Sequence, residues 1–329
     1  MIKNFFKNKS LLITGGTGSF GKAFVNFLLS QKIPLKRIII FSRDELKQHE
    51  MSINFSDKKF PNIRYYLGDV RDKDRLISAF EDVNIIVHAA ALKQVPASEY
   101  NPIEFIKTNI IGAQNIIECS LKMGVQNVLA LSTDKASSPI NLYGATKLCS
   151  DKLFINSNNI KGKKNIKFSV VRYGNVMGSR GSVLHSFLNQ KKNGQLLITD
   201  DRMTRFNILL DDAINMVNWI LINSMGGEIF VPKIPSFYVK DLATAICDKC
   251  KIKIVGIRPG EKLHEEMISV YDSKNTVDLG KFYAILPDNL IKTYLNKNCK
   301  LVNDGFFYNS QNNKHFLNIK DLKKIIQKF

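Results

Sequence analysis

Residues 11–31 read LLITGGTGSFGKAFVNFLLSQ, and this stretch decides the fold. Leu11 to Thr14 is an apolar run of strand length, and KAFVNFLLSQ has the spacing of an amphipathic helix. Between them stand Gly15, Gly16, Thr17, Gly18, Ser19, Phe20 and Gly21. Strand, glycine turn and helix in this order supply the context that a lone Gly15-x-x-Gly18-x-x-Gly21 would lack. Glycines let the backbone approach a pyrophosphate, and a helix N-terminus offers it unpaired N–H groups. The alternative is an ordinary strand-to-helix turn. With the context in place we read a dinucleotide-binding turn, with Gly15, Thr17, Gly18, Ser19, Phe20 and Gly21 against the cofactor.

The same alternation continues outward. Arg37 to Phe41 is a second strand that ends in Ser42, Arg43 and Asp44, with Lys47 one helical turn beyond. An acidic residue at this strand end suits the ribose 2′-hydroxyl of NAD, whereas an Arg accommodates a 2′-phosphate. Ser42, Arg43 and Lys47 favour NADP, while Asp44 keeps NAD open. A third strand, Ile63 to Leu67, leads to Gly68, Asp69 and Val70. Asp69 either meets the adenine amino group or caps the DKDRLISAF helix. Asn84 to Val87 is the next strand, closed by His88 and the small residues Ala89, Ala90 and Ala91, as a backbone passing under a cofactor requires. His88 reads as a structural histidine. Lys93 follows in a loop with Pro96 and Glu99 and either reaches over the nicotinamide or stands in solvent. Asn109, polar within the TNIIGAQNII stretch of a helix from about 102 to 123, must find partners if buried, bracing the site or capping a kink.

Residues 128–151, VLALSTDKASSPINLYGATKLCSD, carry the candidate chemistry. A strand-like run ends in Thr133, Asp134 and Lys135 and feeds a helix bearing Tyr143 and Lys147 four positions later, on one face. An ammonium there lowers the phenol's pKa from its ordinary value of about 10 and lets Tyr143 accept a proton. Surface helices produce Tyr-x-x-x-Lys by chance, so its weight comes from Thr133 to Lys135 and from the glycine turn. The glycine turn, Ser42, His88 and Thr133 to Lys135 all fall at strand carboxyl ends, where open parallel sheets bind ligands. The fold class read from this is α/β, a doubly wound parallel sheet of Rossmann type with a smaller α/β lobe.

Beyond it, Lys167 to Arg172 is another strand, and Asn175 in the loop after it can meet a sugar or phosphate oxygen. Arg205 can fork onto a diphosphate. In Arg258-Pro-Gly-Glu261, Arg258 and Glu261 either hold phosphate and ribose or pair with each other. We expect a nucleotide-binding domain over 1–178, with a return near 207–232, and a substrate lobe over 179–329. A final helix is expected at IKDLKKIIQ.

The chain has 329 residues, is 44% hydrophobic and carries 48 basic against 29 acidic residues, a net +19. The lysines are scattered and no basic block interleaves with aromatics, so no nucleic acid is expected; a basic cleft for phosphates fits. No apolar run reaches the about 18 residues of a membrane span, and the start lacks the features of a signal peptide, so no membrane partner and a cytoplasmic place are expected. Five cysteines without framework spacing suit a reducing compartment. Cys247 and Cys250 form a CxxC in a probable helix, DLATAICDKC, and read as ordinary thiols; no metal-ligand spacing accompanies them.

Gly15-x-x-Gly18-x-x-Gly21, Tyr143-x-x-x-Lys147, Asn175 and Arg258-Pro-Gly-Glu261 together resemble the extended short-chain dehydrogenase/reductases, whose members modify nucleotide sugars. Thr133-Asp134-Lys135-Ala136 is narrower. It resembles the inverting UDP-N-acetylglucosamine 4,6-dehydratases that open pseudaminic acid biosynthesis, and the similarity runs from about residue 8 to at least 290. Retaining relatives have Asp-Glu in place of Asp134-Lys135. Some capsule-pathway relatives have Met in place of Tyr143, and many carry an N-terminal membrane block not seen here, so the soluble, Tyr-containing branch is expected.

The resemblance implies NADP, UDP-N-acetylglucosamine as substrate, and a homo-oligomer, a dimer or higher with a hexamer suggested, built on the helices around 102–123 and 143–156. It also implies roles: Tyr143 and Lys147 in oxidation at C4, Lys135 as base at C5, Asp134 as acid for the C6 hydroxyl. For Lys135 to be neutral near pH 7 from about 10.4, its site must supply up to roughly 4.6 kcal/mol, or work with a small neutral fraction. Lys147 and the nicotinamide cation are expected to push that way; the alternative is that Lys135 forms a local ion pair with Asp134. An epimerase, a reductase, or a non-enzymatic NADP-binding protein would share parts of this set.

Overall fold

The computed structural model describes residues 1–179 and 181–329. Six strands alternate with helices through the first half: β1 (Ser10–Thr14), β2 (Arg37–Ser42), β3 (Ile63–Leu67), β4 (Ile85–His88), β5 (Asn127–Thr133) and β6 (Lys167–Tyr173). They lie parallel in the order β3-β2-β1-β4-β5-β6. This is a doubly wound sheet, and the strand order reverses between β1 and β4, where the loops part to open a crevice.

Alternation along each strand fills two cores. Leu12, Ile39 and Ile86 face one side, and Leu11, Ile13, Ile38, Ile40 and Val87 face the other. Both faces are apolar because helices cover both. The helix Ser19–Ser30 buries one stripe, Phe24, Val25 and Leu28, and leaves its polar face outward.

The chain then leaves the sheet and returns to it twice. β7 (Asn175–Val176), β8 (Gln195–Ile198) and β9 (Thr204–Ile208) lie in the lobe, and β10 (Ile229–Pro232) pairs parallel with β6. β11 (Ser236–Tyr238), β12 (Lys251–Ile254) and β13 (Glu266–Ile268) belong to the lobe again. β14 (Thr276–Asp278), β15 (Phe282–Ile285) and β16 (Lys300–Leu301) extend the main sheet antiparallel from β10, and β17 (Tyr308–Asn309) pairs with β13. The main sheet thus draws on residues 276–301 as well as on the return over 207–232. The lobe has its own core, including Met177, Leu184, Phe187, Leu196, Phe237 and Leu242.

Several local expectations change. Helix Lys73–Ala79 is capped by Asp72, which accepts from Arg75 N–H at 2.9 Å, so Asp69 is not its cap. The helical stretch from Pro102 to Met123 contains a π-helical segment, Ile106–Ile111, that carries Asn109. Such segments recur at functional sites because they re-aim side chains. Helix Val239–Ile246 stops before the CxxC, and Cys247 and Cys250 form a disulfide rather than standing as two thiols in a helix. Once the chain turns at residue 247, the Cα atoms lie 5.4 Å apart, within bridging reach. Among the described residues, no helix is long and apolar enough to cross a membrane.

Candidate active site

A cleft of about 1220 Å³ runs along the carboxyl ends of the parallel strands and beneath the lobe. It is lined by the glycine turn, by Ser42, Arg43, Lys47, Val70, Ala89 and Lys93, and by Thr133, Asp134, Lys135, Tyr143 and Lys147. Asn175, Arg205, Arg258 and Glu261 line its lobe side. Asp69, read from sequence as a cofactor contact, is not part of this wall. Its carboxylate turns to Arg71, at 2.7 Å, and to Arg43, at 3.5 Å.

At the β1 end, Gly15 has φ +63°, and a Cβ there would stand 2.9 Å from backbone atoms of Ala90. Only glycine satisfies both conditions. Gly18 N–H donates to Gly15 O at 2.9 Å and closes the turn, which leaves the helix N-terminus beside the cleft. These features fit a dinucleotide pyrophosphate. His88 lies behind this wall, fully buried, paired with Thr14 Oγ1 at 2.8 Å, and burial pushes its pKa down to about 3.

At the β2 end, Ser42 Oγ accepts from Gln48 Nε2 at 3.0 Å. Asp44 caps the helix Glu45–Asn54 through Lys47 N–H at 3.0 Å and forms an ion pair with the Lys47 ammonium. The acidic residue that would suit NAD is therefore engaged by its own helix, with Arg43 half-exposed beside it.

The chemistry gathers where β5 meets the helix Leu142–Ile160. Asn141 caps that helix, accepting from Gly144 N–H at 2.8 Å, and donates to Gly260 O at 2.7 Å. Gly144 allows close packing, since a Cβ there would lie 2.3 Å from Lys135 O. Lys147 Nζ donates to Leu131 O at 2.9 Å, and burial holds its pKa below the usual lysine value. Thr133 Oγ1 donates to Asp134 Oδ1 at 3.0 Å and is also hydrogen-bonded to Tyr143.

Two electrostatic expectations are corrected. Burial pushes the Tyr143 phenol up to about 12, and the cation that draws it down is Lys135, not Lys147. Lys135 itself is not driven toward neutrality. Its ammonium sits 3.1 Å from Asp134 Oδ1 and 2.9 Å from Glu265 Oε1, and these two carboxylates outweigh desolvation and raise its pKa. The local ion pair therefore forms. Asp134, just 1% exposed, is raised by burial, whereas Glu265 is lowered because Lys135 and Arg205 outweigh its desolvation.

The lobe contribution also differs from expectation. Arg205 is buried and donates to Thr204 O, Leu263 O and Lys262 O at 2.8, 3.1 and 3.0 Å, clamping the loop that holds Arg258 to Glu265. Glu261 faces Arg205 at 3.5 Å, so it does not pair with Arg258, which stays exposed at the cleft. Asn175 sits in β7, paired with Asn207 of β9, rather than in a free loop. Its Oδ1 is buried without a partner, as are Asp134 Oδ2, Ser132 Oγ, Thr108 Oγ1, Glu261 Oε2 and Glu265 Oε2, all on residues that line the cleft. Buried polar atoms left open in this way mark a site built for a polar ligand. Glu265, Ser132 and Thr108 escaped the sequence reading; a Glu265-Glu266 pair next to an apolar strand was the only available signal for the first.

A doubly wound sheet with a glycine turn, a Tyr-Lys helix and a polar lobe cleft defines a nucleotide-sugar-modifying enzyme class. The chain belongs to the polysaccharide biosynthesis protein family, which matches residues 11–287, within the extended short-chain dehydrogenase/reductases. It is 52% identical over 98% of both chains to a protein from Campylobacter jejuni named UDP-N-acetylglucosamine 4,6-dehydratase (inverting). It is also 40% identical, over 98% of this chain and 96% of the other, to a Rickettsia canadensis protein named UDP-glucose 4-epimerase. Among solved structures, Pen from Bacillus thuringiensis superposes with TM-score 0.90 at 37% identity, covering 98% of each chain. DesIV from Streptomyces venezuelae, a dTDP-glucose 4,6-dehydratase with NAD and TYD bound, shares the fold at TM-score 0.67 and 24% identity, covering 77% of this chain and 86% of that one.

Proposed function

We propose that this protein converts UDP-N-acetylglucosamine into the C5-inverted 4-keto-6-deoxy sugar nucleotide, using NADP, as the first step of pseudaminic acid synthesis. The observation that carries this reading is the buried Asp134-Lys135 contact one hydrogen-bonded residue away from Tyr143. An epimerase needs a Tyr-Lys pair but has no task for an adjacent acid and amine. The dehydratase name of the Campylobacter relative agrees with it.

The glycine turn with Ser42, Arg43 and Lys47 would hold the dinucleotide, which would supply a hydride acceptor and donor for oxidation at C4 and reduction at C6. Tyr143 is a phenol at rest, so it must first release its own proton, which the nearby Lys135 cation favours, and as the phenolate it accepts the C4 hydroxyl proton. The resulting ketone makes the C5 proton acidic, and Lys135 removes it. Because the Lys135 ammonium is stabilised at rest, its proton first crosses the 3.1 Å contact to Asp134, leaving an amine beside a carboxylic acid. Burial raises the Asp134 pKa, which suits a group that must give a proton to the departing C6 hydroxyl. Lys135 gains the C5 proton as Asp134 loses its own, so the ion pair is restored when water leaves, and C5 takes up a proton as the hydride reaches C6, which balances the one Tyr143 accepted. Asn175, Arg258 and Glu261 are the lobe groups available to sugar and diphosphate.

The test is incubation of the protein with UDP-N-acetylglucosamine and no reductant. A keto-sugar product with no stoichiometric loss of added NADPH supports the reading. A C4 epimer without dehydration, or steady NADPH oxidation matching product, overturns it in favour of an epimerase or a reductase.

A further inference from the structure

Lys135 is held from two sides, by its neighbour Asp134 and by a residue 130 positions later. Glu265 is 1% exposed, its Oε1 lies 2.9 Å from Lys135 Nζ and 3.7 Å from Arg205 Nε, and its Oε2 is buried with no partner. Its backbone is fixed on both sides by Ser310, which accepts from Glu265 N–H at 2.9 Å and donates to Glu265 O at 2.7 Å. The surrounding loop is stitched to the Lys135 loop, with Lys262 Nζ donating to Ser137 O at 2.7 Å and Ser137 Oγ donating to Glu266 at 3.0 Å. Among the described residues, Glu265 thus lies against two cations, Lys135 and Arg205, while Asp134 forms its ion pair with Lys135. Of two buried carboxylates sharing a site, the one facing more positive charge keeps its ionised form.

We infer that Glu265 is a positioning residue: its buried carboxylate holds Lys135 in the cleft from the lobe side and balances its charge, leaving Asp134 to carry the transferable proton. This rests on the dehydratase reading. Glu265 does not touch the reacting atoms; it acts through Lys135. Besides Asp134, the groups that interact with the Lys135 charge are Arg205, Lys262 and Tyr143, and none of them changes in the test.

The test compares the unmodified protein with Glu265→Gln and Glu265→Asp by two readouts. Competitive amine acylation of the folded protein across pH, followed by peptide mass spectrometry, gives the titration of Lys135 directly. In Glu265→Gln the Lys135 midpoint should fall by about one unit or more, the size an opposite charge at this range produces. Glu265→Asp, with its carboxylate drawn back, should lie between. In turnover, Glu265→Gln should lower kcat at least about tenfold, part of the roughly 10²- to 10⁴-fold that placed acid-base groups supply, with KM little changed. Glu265→Asp should recover part of the loss. A Lys135 midpoint unchanged in whichever variant folds, or kcat within twofold in Glu265→Gln, overturns the assignment. Should the unmodified protein make no dehydrated product, the dehydratase reading fails, while the acylation profile still decides whether Glu265 governs Lys135.

Discussion

Asn109 donates its Nδ2 to Thr146 Oγ1 at 3.0 Å, joining the π-helical segment to the helix that carries Tyr143 and Lys147. The same amide accepts from Leu92 N–H and donates to Leu92 O, both at 2.9 Å. One buried side chain therefore fixes both the loop before Lys93 and the catalytic helix. Asn109→Ala would strand the Leu92 N–H and C=O, at a cost of about 1–3 kcal/mol. Urea denaturation should show that loss, and kcat/KM should fall with it as the Lys93 loop loosens. Unchanged stability would mean that water replaces the amide without loss.

Arg43 stands 3.5 Å from Asp69 at the end of β2, where Asp44 is occupied by its helix and Lys47. We expect NADP to bind better than NAD, and Arg43→Ala to erode the preference by about tenfold, the value of one charge-assisted contact. Calorimetric titration with each coenzyme measures this. Equal binding of both by the unmodified protein would count against it.

His88 titrates near 3 in the folded protein because burial disfavours its cation. Unfolded, it titrates near 6.5, so between these values the unfolded chain binds more protons and stability rises with pH. Its contribution is complete above about pH 6.5 and declines by up to about 1.4 kcal/mol per unit as pH falls toward 3. Denaturation midpoints over pH 4–7 should be less steep for His88→Gln than for the unmodified protein. Parallel pH profiles would refute this.

Lys135 lies against Asp134 and Glu265, and the resemblance implies a Glu at its position in retaining relatives. If it takes the C5 proton and exchanges it before return from the opposite face, the product is the L-arabino sugar. Turnover in deuterium oxide should then label C5, and deuterium at substrate C4 should appear at C6. Lys135→Ala should lose both C5 exchange and elimination while remaining folded. Coupling constants showing retained D-configuration, or full activity in Lys135→Ala, would sink the assignment.

The sheet was legible because strand and helix periodicities and glycine spacing are local properties of the chain. Leu11 to Gly21 and Asn127 to Lys147 place the glycine turn, Thr133 to Lys135 and Tyr143 on one edge without any long-range knowledge. Protonation states were not legible in this way. Whether Lys135 is an amine or an ammonium depends on Glu265, and whether Arg205 reaches a ligand depends on the carbonyls of residues 262 and 263. Asp69 lost its cap role to Asp72, and Cys247 found Cys250, through turns that periodicity does not describe. Sequence alone determined which residues stand at the strand ends; only the tertiary structure decided which charges meet there, because Coulomb and desolvation energies follow distance in space rather than separation along the chain.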